Sequence, residues 1–468
     1  MSCKRLALKA VGVLLIACAL PLTMAAQTSD TDKKLLELEK QLDAIKAQIE
    51  ELKAASHPSA APSPAPATTA VATPAPAAAA PAPAAAPAKD PLAGITSVLG
   101  GVNLTGVVDA YYGYNANHPN LVDNGGTSNE PFTFVNNQFS LNLLELQLDK
   151  PVDKDSRLGF RTAFFWGQAA NAVNNAGSSY FTPDYASKTN GASQYLKEAY
   201  LSYFAPIGKG LQLDVGKWVT PAGVEVIESN QNNNYSRGLL FTYAVPYYHM
   251  GARAKYVFND KWTVTGFMTN GWNNVIASNS GKTGGVSIAY SPNKKLTITE
   301  NYLGGPRDFF GTGNNSAWSN LFDTIVTYSP TAKLSLAAQA DYNRIEEFWK
   351  STGGYGNYTN KPADYTGIGL FAKYQYSPKV AYSARYEFLN DHDGFATPVS
   401  YYGIANGQHM NEFTATAERK FAGHLISRLE YRHDDSNQDF FARGNVFGAV
   451  KGQTTVDVGL IFVLEPNN

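Results

Sequence analysis

The segment Val380-Ala-Tyr-Ser-Ala-Arg-Tyr-Glu-Phe388 alternates between two kinds of side chain. Successive residues of an extended chain point to opposite sides, so Val380, Tyr382, Ala384, Tyr386 and Phe388 share one face while Ser383, Arg385 and Glu387 share the other. One face is apolar and the other bears full charges. A soluble strand of this kind packs its apolar face into a core, whereas a strand crossing a bilayer turns that face to lipid and keeps its charges in a wet interior.

The pattern repeats along the chain. Leu425, Leu429 and Tyr431 alternate with Arg428, Glu430 and Arg432; Leu158, Phe160, Phe164 and Trp166 alternate with Arg157, Gly159, Arg161 and Ala163. Val456, Val458, Leu460, Phe462 and Leu464 stand opposite Thr455, Asp457 and Gly459, and near the start Val108, Ala110, Tyr112 and Tyr114 stand opposite Asp109. Sixteen such segments begin near residues 102, 139, 156, 194, 210, 249, 261, 283, 294, 320, 332, 365, 379, 410, 424 and 453. Each is about ten residues long, the length a tilted strand needs to cross a bilayer.

The connections alternate in length. Pro151 to Asp155, Pro206 to Gly210, Asn259-Asp260, Ser291 to Asn293, Ser329 to Ala332, Ser377 to Lys379 and Ala422-Gly423 are tight turns. The others, near 116–137, 168–192, 219–245, 272–282, 304–318, 345–363, 390–408 and 435–451, are long and rich in Asn, Gly and Tyr. Short turns on one side and long loops on the other mark a transmembrane antiparallel up-and-down β-barrel of about sixteen strands over residues 101–465, with both ends of the barrel on the short-turn, periplasmic side. A soluble β-sandwich or propeller also alternates, but it has no reason to sort its connections by length. Glu300 is the exception, since alternation through Leu296 and Ile298 puts it on the lipid face, which calls for a register change or an interfacial position.

Composition agrees. The net charge is -1, which gives no bulk attraction to nucleic acid, and charged residues are 16% against about 25% in ordinary soluble domains. Aromatic residues reach 12%, with 27 tyrosines, as expected where rings line a lipid interface. No segment after the first has about 18 consecutive apolar residues, so any membrane crossing falls to strands that close on themselves and leave no backbone group unpaired.

Residues 1–25 read as a secretory signal: Lys4-Arg5, an apolar run from Ala10 to Leu20, then Pro21 and small residues around Ala25. Leu15-Ile-Ala-Cys18 also fits a lipoprotein cleavage box, and both readings stand. Cys3 and Cys18 are the only cysteines, so the barrel has no disulfide. Over 32–54, Leu35, Leu38, Leu42, Ile45, Ile49 and Leu52 repeat at coiled-coil spacing, which predicts a short self-associating helix; mixed Leu and Ile at the seam favours a trimer. Residues 55–92 hold ten of the 25 prolines and are otherwise mostly Ala with a few Ser and Thr, the composition of a spacer without a core.

Gly106-Val-Val-Asp109-Ala-Tyr-Tyr-Gly-Tyr-Asn115, Asp214-Val-Gly216-Lys217-Trp, Gly223-Val-Glu225-Val-Ile-Glu228, Asn234-Tyr-Ser-Arg237, Tyr243-Ala-Val-Pro246-Tyr-Tyr-His249-Met-Gly251 and Asn270-Gly-Trp272-Asn-Asn274, followed by Arg385-Tyr-Glu387 and by Glu430-Tyr-Arg432 with Asp435-Ser-Asn437, together resemble the β-barrel porins grouped as OmpL-like. The resemblance covers about 101–465. It implies an outer-membrane channel for small polar solutes in a Gram-negative-type envelope, without naming the solute. The chain departs from many such barrels in ending Phe462-Val-Leu-Glu-Pro-Asn-Asn468 instead of on an aromatic residue.

In such a channel the working groups are lumen charges and a constriction. The inward phase offers Arg157, Arg161, Arg253, Lys255, Arg385, Arg428 and Arg432, with Asp109, Glu145, Asp214, Glu387, Glu430 and Asp434 of opposite sign. These either brace the wall by pairing or meet the solute. The loop from Val219 to Val245 carries Glu225 and Glu228 in an apolar stretch and continues to Arg237; it is expected either to fold into the lumen or to pack between protomers.

Catalysis finds no support in the sequence. No histidine pair has metal-ligand spacing, and no metal or cofactor is expected. Asp391-His-Asp393 and His433-Asp-Asp435 read as solvated strand ends, and Tyr247 and Tyr248 beside His249 read as part of an aromatic girdle. The expected partners are outer-membrane lipid, small polar solutes and further copies of the chain, with cell wall as a contact for the stalk. The competing reading is a structural tether or adhesin, in which the stalk or the outward loops carry the function.

Overall fold

The computed structural model describes residues 101–119, 130–133, 135–174, 194–277, 279–307, 315–351, 358–397, 407–421, 424–444 and 448–464. The signal, coiled-coil and linker segments, with the seam residues Leu35, Leu38, Leu42, Ile45, Ile49 and Leu52, lie outside them.

The strands are β1 (Asn103–Asn115), β2 (Gln138–Lys150), β3 (Leu158–Trp166), β4 (Leu196–Ala205), β5 (Leu211–Val219), β6 (Tyr248–Asn259), β7 (Trp262–Thr269), β8 (Thr283–Asn293) and β9 (Leu296–Pro306). They continue as β10 (Trp318–Thr331), β11 (Leu334–Ser351), β12 (Tyr358–Ser377), β13 (Val380–Asp391), β14 (Gln408–Phe421), β15 (Leu425–Ser436), β16 (Phe441–Arg443), β17 (Gly448–Val450) and β18 (Gly452–Leu464). A short α-helix, α1 (Gln168–Asn174), follows β3, and the connection between β5 and β6 holds a 3-10 turn at Ser229–Gln231 and a π-helical turn at Leu240–Ala244. β16 and β17 form a separate hairpin, and the other sixteen strands close into a barrel. Closure runs from Gly106↔Leu464 to Asn115↔Thr455, antiparallel like the neighbouring pairs around the ring. A closed ring has no edge to leave unpaired in hydrocarbon.

Alternation places the side chains as the sequence predicts. Along β13, Tyr382 and Tyr386 face outward and exposed, while Ser383, Arg385 and Glu387 are buried inside; along β18, Val458, Leu460 and Phe462 face out. Exposed rings gather near both rims of the outer wall. Tyr203, Phe258, Trp262, Tyr328, Tyr376 and Tyr382 lie toward the turn end, and Tyr114, Phe139, Tyr195 and Trp318 toward the loop end. Two such belts bound the apolar band of a membrane barrel.

Three differences from the sequence reading are informative. The loop expected over 345–363 is largely strand, because β11 and β12 continue their ladder to Ser351↔Tyr358 past a bulge between Ile345 and Phe348. Backbone pairing needs no lipid, so it outruns the apolar pattern that reveals a strand in sequence. Glu300 does sit on the outer face in unbroken register with Thr324, whose hydroxyl donates to its carboxylate at 2.6 Å. The interior toward the loop end is packed as well as polar: Tyr111, Phe165, Trp218, Leu303, Leu321 and Leu389 are inward and buried.

Candidate functional site

The long connection between β5 and β6 fills the middle of the barrel. Its neck is closed where the Thr220 amide donates to the Tyr247 carbonyl at 3.0 Å. Gly223 adopts a φ of 92°, a conformation open to glycine, and turns the chain inward. The Gly223 amide then donates to Asp323 of β10 (3.0 Å) and the Val224 amide to Gln339 of β11 (2.8 Å). Most side chains from Ala222 to Tyr247 are buried.

Two carboxylates pin the loop. Glu225 meets Arg385 of β13 at 2.6 Å and accepts the Gly238 amide at 2.6 Å, tying the two limbs of the loop together. Arg385 also holds Glu412 of β14 at 2.8 Å and the Ser236 carbonyl at 2.8 Å. Glu228 pairs with Lys197 of β4, which also donates to Glu145 of β2 at 2.6 Å. Burial pushes the Glu228 carboxyl up, but the Lys197 ammonium more than offsets this and holds it below the usual glutamate range. Lys197 reaches the lumen through a register shift between Ala163 and Phe164 that breaks the alternation and brings Lys197 and Glu198 both inside.

The far wall grips the loop backbone. Glu430 of β15 accepts the amides of Tyr235 and Ser236, the latter at 2.7 Å. Arg428 donates to the carbonyls of Asn234 (2.9 Å) and Asn232 (2.8 Å), and Arg432 to that of Arg237 (2.7 Å). The Tyr235 hydroxyl donates to Asp109 of β1 at 2.7 Å, and Tyr365 of β12 donates to the Ala244 carbonyl at 2.6 Å. Glycines in the wall are sockets for loop side chains. A Cβ on Gly459 would stand 2.4 Å from the Tyr235 ring, and one on Gly367 would stand 2.4 Å from Leu240.

The twelve charged candidates therefore divide. Glu225, Glu228, Arg237, Arg385, Glu387, Arg428, Glu430 and Arg432 are buried at or against the loop. Arg161 pairs with Glu198 and Arg253 with Asp214, each at 2.8 Å and half-buried; Lys255 is exposed; Arg157 lies exposed in the turn before β3, bonded to the Lys154 carbonyl at 3.4 Å. Sequence reasoning did not single out Lys197, Asp323, Asp341, Glu412 or Asp457, although each stands in a strand beside at least one apolar neighbour.

Tyr247 and Tyr248 do not belong to an outer girdle. Both are buried, and the Tyr247 hydroxyl donates to Thr242 within the inserted loop. His249 is buried beside Thr220 and the Gly271 carbonyl. Asp391 accepts the amides of Phe395, Ala396 and Thr397 and so braces the loop after β13. His392 and Asp393 instead meet Asp364, with one ligating atom each within 4.8 Å; His392 is exposed and its Nε2 lies 3.2 Å from the Asp393 carboxyl, an arrangement that solvated side chains adopt without a metal.

The family described as "Putative beta-barrel porin-2, OmpL-like" matches residues 101–464, the whole of the barrel. The chain belongs to this family. Solved structures similar to this OmpL-like porin include OmpT, an outer membrane protein of Vibrio cholerae, at 11% identity and a TM-score of 0.47, covering 77% of this chain and 97% of that one. An anion-selective porin from Comamonas acidovorans shares 11% identity at a TM-score of 0.45, covering 77% and 99%. The outer membrane channel DcaP of Acinetobacter baumannii shares 11% at 0.47, covering 77% and 96%. No curated protein matches the sequence.

Proposed function

We propose that this OmpL-like porin sits in the outer membrane and passes small hydrophilic solutes by diffusion, along the part of the lumen that the inserted loop leaves free. The observation that carries this reading is the combination of a closed barrel, apolar outside and charged inside, with a 220–247 loop anchored across its lumen by buried ion pairs. Anchoring by charge in a low-dielectric interior fixes one loop position and so one aperture. The stalk lies on the periplasmic side and gathers three copies. On this reading the chain works as a channel and not as an enzyme, and many of the buried charges of the lumen serve to hold the loop.

Purified full-length protein in planar bilayers tests this. Discrete conductance steps are expected, altered by Glu225→Gln with Glu228→Gln because both anchors weaken. No steps would end the channel reading; unchanged conductance and selectivity in the double variant would end the constriction role of the loop.

A further inference from the structure

Among the described residues, sixteen Asp and Glu side chains are buried against seven Lys and Arg. The cations among them are largely committed: Lys197 to Glu145 and Glu228, Arg385 to Glu225 and Glu412, Arg428 to Glu418, Arg432 to Asp434. Asp109, Asp323, Asp341, Glu387, Glu430 and Asp457 are buried and form no ion pair within 4.0 Å among the described residues. Neutral donors serve several of them, such as the Gly223 amide and the Asn301 side chain for Asp323, but amides leave the charge uncompensated.

One row of the wall concentrates this excess. Thr265, Ser287, Asn301, Asp323 and Asp341 are direct cross-strand partners on five consecutive strands, β7 to β11. Thr265 and Ser287 are half-exposed, as are Thr263 and Ala289 beside them, so water reaches this neutral strip. Asn301, Asp323 and Asp341 are buried at the other end of the row, and one side-chain oxygen of each has no hydrogen-bond partner. The carboxyl groups of Asp323 and Asp341 lie within hydrogen-bond reach of each other. Two carboxyl groups in hydrogen-bond contact share one proton and keep one negative charge between them, and no ion pair among the described residues compensates it.

Resting on the channel reading above, we infer that the permeant class is small cations, stabilised beside the β7–β9 strip by the Asp323–Asp341 pair with Asn301. Fixed charge beside a narrow path in low-dielectric walls raises the local concentration of the opposite sign and excludes its own.

The reversal potential of the full-length protein under a potassium chloride gradient, in bilayers of neutral lipid, tests the inference. Potassium is expected to permeate better than chloride, and Asp323→Asn with Asp341→Asn should lower that ratio by about threefold, the effect of the one charge the pair keeps near the path. The heat-dependent gel shift of a folded barrel qualifies the double variant; should it not fold, Asp323→Ser with Asp341→Ser replaces it, with the same drop expected. A conducting wild-type protein with no preference, or one for chloride, overturns the inference and leaves the channel reading intact. Cation preference that survives in a folded variant overturns the assignment to this pair. Absence of any conductance overturns the channel reading and this inference with it.

Discussion

Arg385→Met should loosen the inserted loop without opening the barrel. The guanidinium is fully buried and reaches Glu225 (2.6 Å), Glu412 (2.8 Å), the Ser236 carbonyl (2.8 Å) and the hydroxyls of Ser236 (3.1 Å) and Thr414 (3.2 Å). Removing one partner of a buried charge pair costs about 3–5 kcal/mol, mainly because the other charge stays buried and unpaired. Arg432 stands 4.0 Å from Glu412 and compensates it in part, whereas Glu225 keeps only the Gly238 amide among these contacts. The lower figure of about 3 kcal/mol therefore applies to loop docking, a factor on the order of a hundred in the docked-to-released ratio. The barrel wall keeps its backbone ladder, since Arg385↔Phe371 and Arg385↔Thr414 pair through the main chain. Single-channel recording should show noisier steps of larger conductance, and limited proteolysis should cut within 220–247 while the barrel still resists heat on a gel. Arg385→Lys keeps the charge but loses the fork and should fall between. Wild-type conductance, noise and protease resistance in Arg385→Met would refute the claim that this ion pair holds the loop.

Gly459→Val should displace Tyr235 from its socket and weaken loop anchoring in the same assays, while Gly284→Val, where a Cβ would meet nothing within 4 Å, should leave them unchanged. The Glu228 carboxyl is held below its ordinary range, so its contribution to anchoring is complete at neutral pH and above the unfolded glutamate value, and is lost as pH falls through its lower folded value; current noise should rise at acid pH and the rise should be absent in Glu228→Gln. Glu300→Leu with Thr324→Val replaces a carboxylate and hydroxyl on the lipid face by apolar groups and should raise the temperature at which the folded band is lost. Deleting residues 32–92 should leave single-barrel conductance intact and shift the particle mass from three copies toward one, as read by light scattering in detergent; loss of envelope integrity with normal uptake in cells would favour the tether reading instead.

Most of the barrel was legible because alternation is local. The strand starting near 283 begins at Thr283, the one near 379 at Val380 and the one near 424 at Leu425. The pattern failed where physics does not require lipid contact, as in the ladder from Ile345 to Ser351, and where both faces are apolar, as at Leu321 and Leu389. Glu225 and Glu228 stood out as carboxylates in an apolar loop. Their partners did not, because Arg385 lies 160 positions from Glu225 and their meeting depends on how the ring of strands closes. Lys197 was hidden for another reason: strict alternation assigns one of the adjacent Lys197 and Glu198 to lipid, and the bulge that turns both inward is a property of pairing with β3. The acidic excess was equally invisible, since the net charge of -1 averages buried carboxylates against basic residues elsewhere on the chain.

The account depends most on where residues 220–247 lie. Both native cysteines, Cys3 and Cys18, precede the barrel, so Tyr235→Cys with Gly459→Cys introduces a clean pair into it. A short thiol-to-thiol cross-linker applied to the folded protein should join the two positions and leave the loop immobilised in a barrel that still conducts. If the pair stays unlinked while a cross-strand control such as Leu429→Cys with Val458→Cys links readily, the loop is not inside the barrel and the account is wrong.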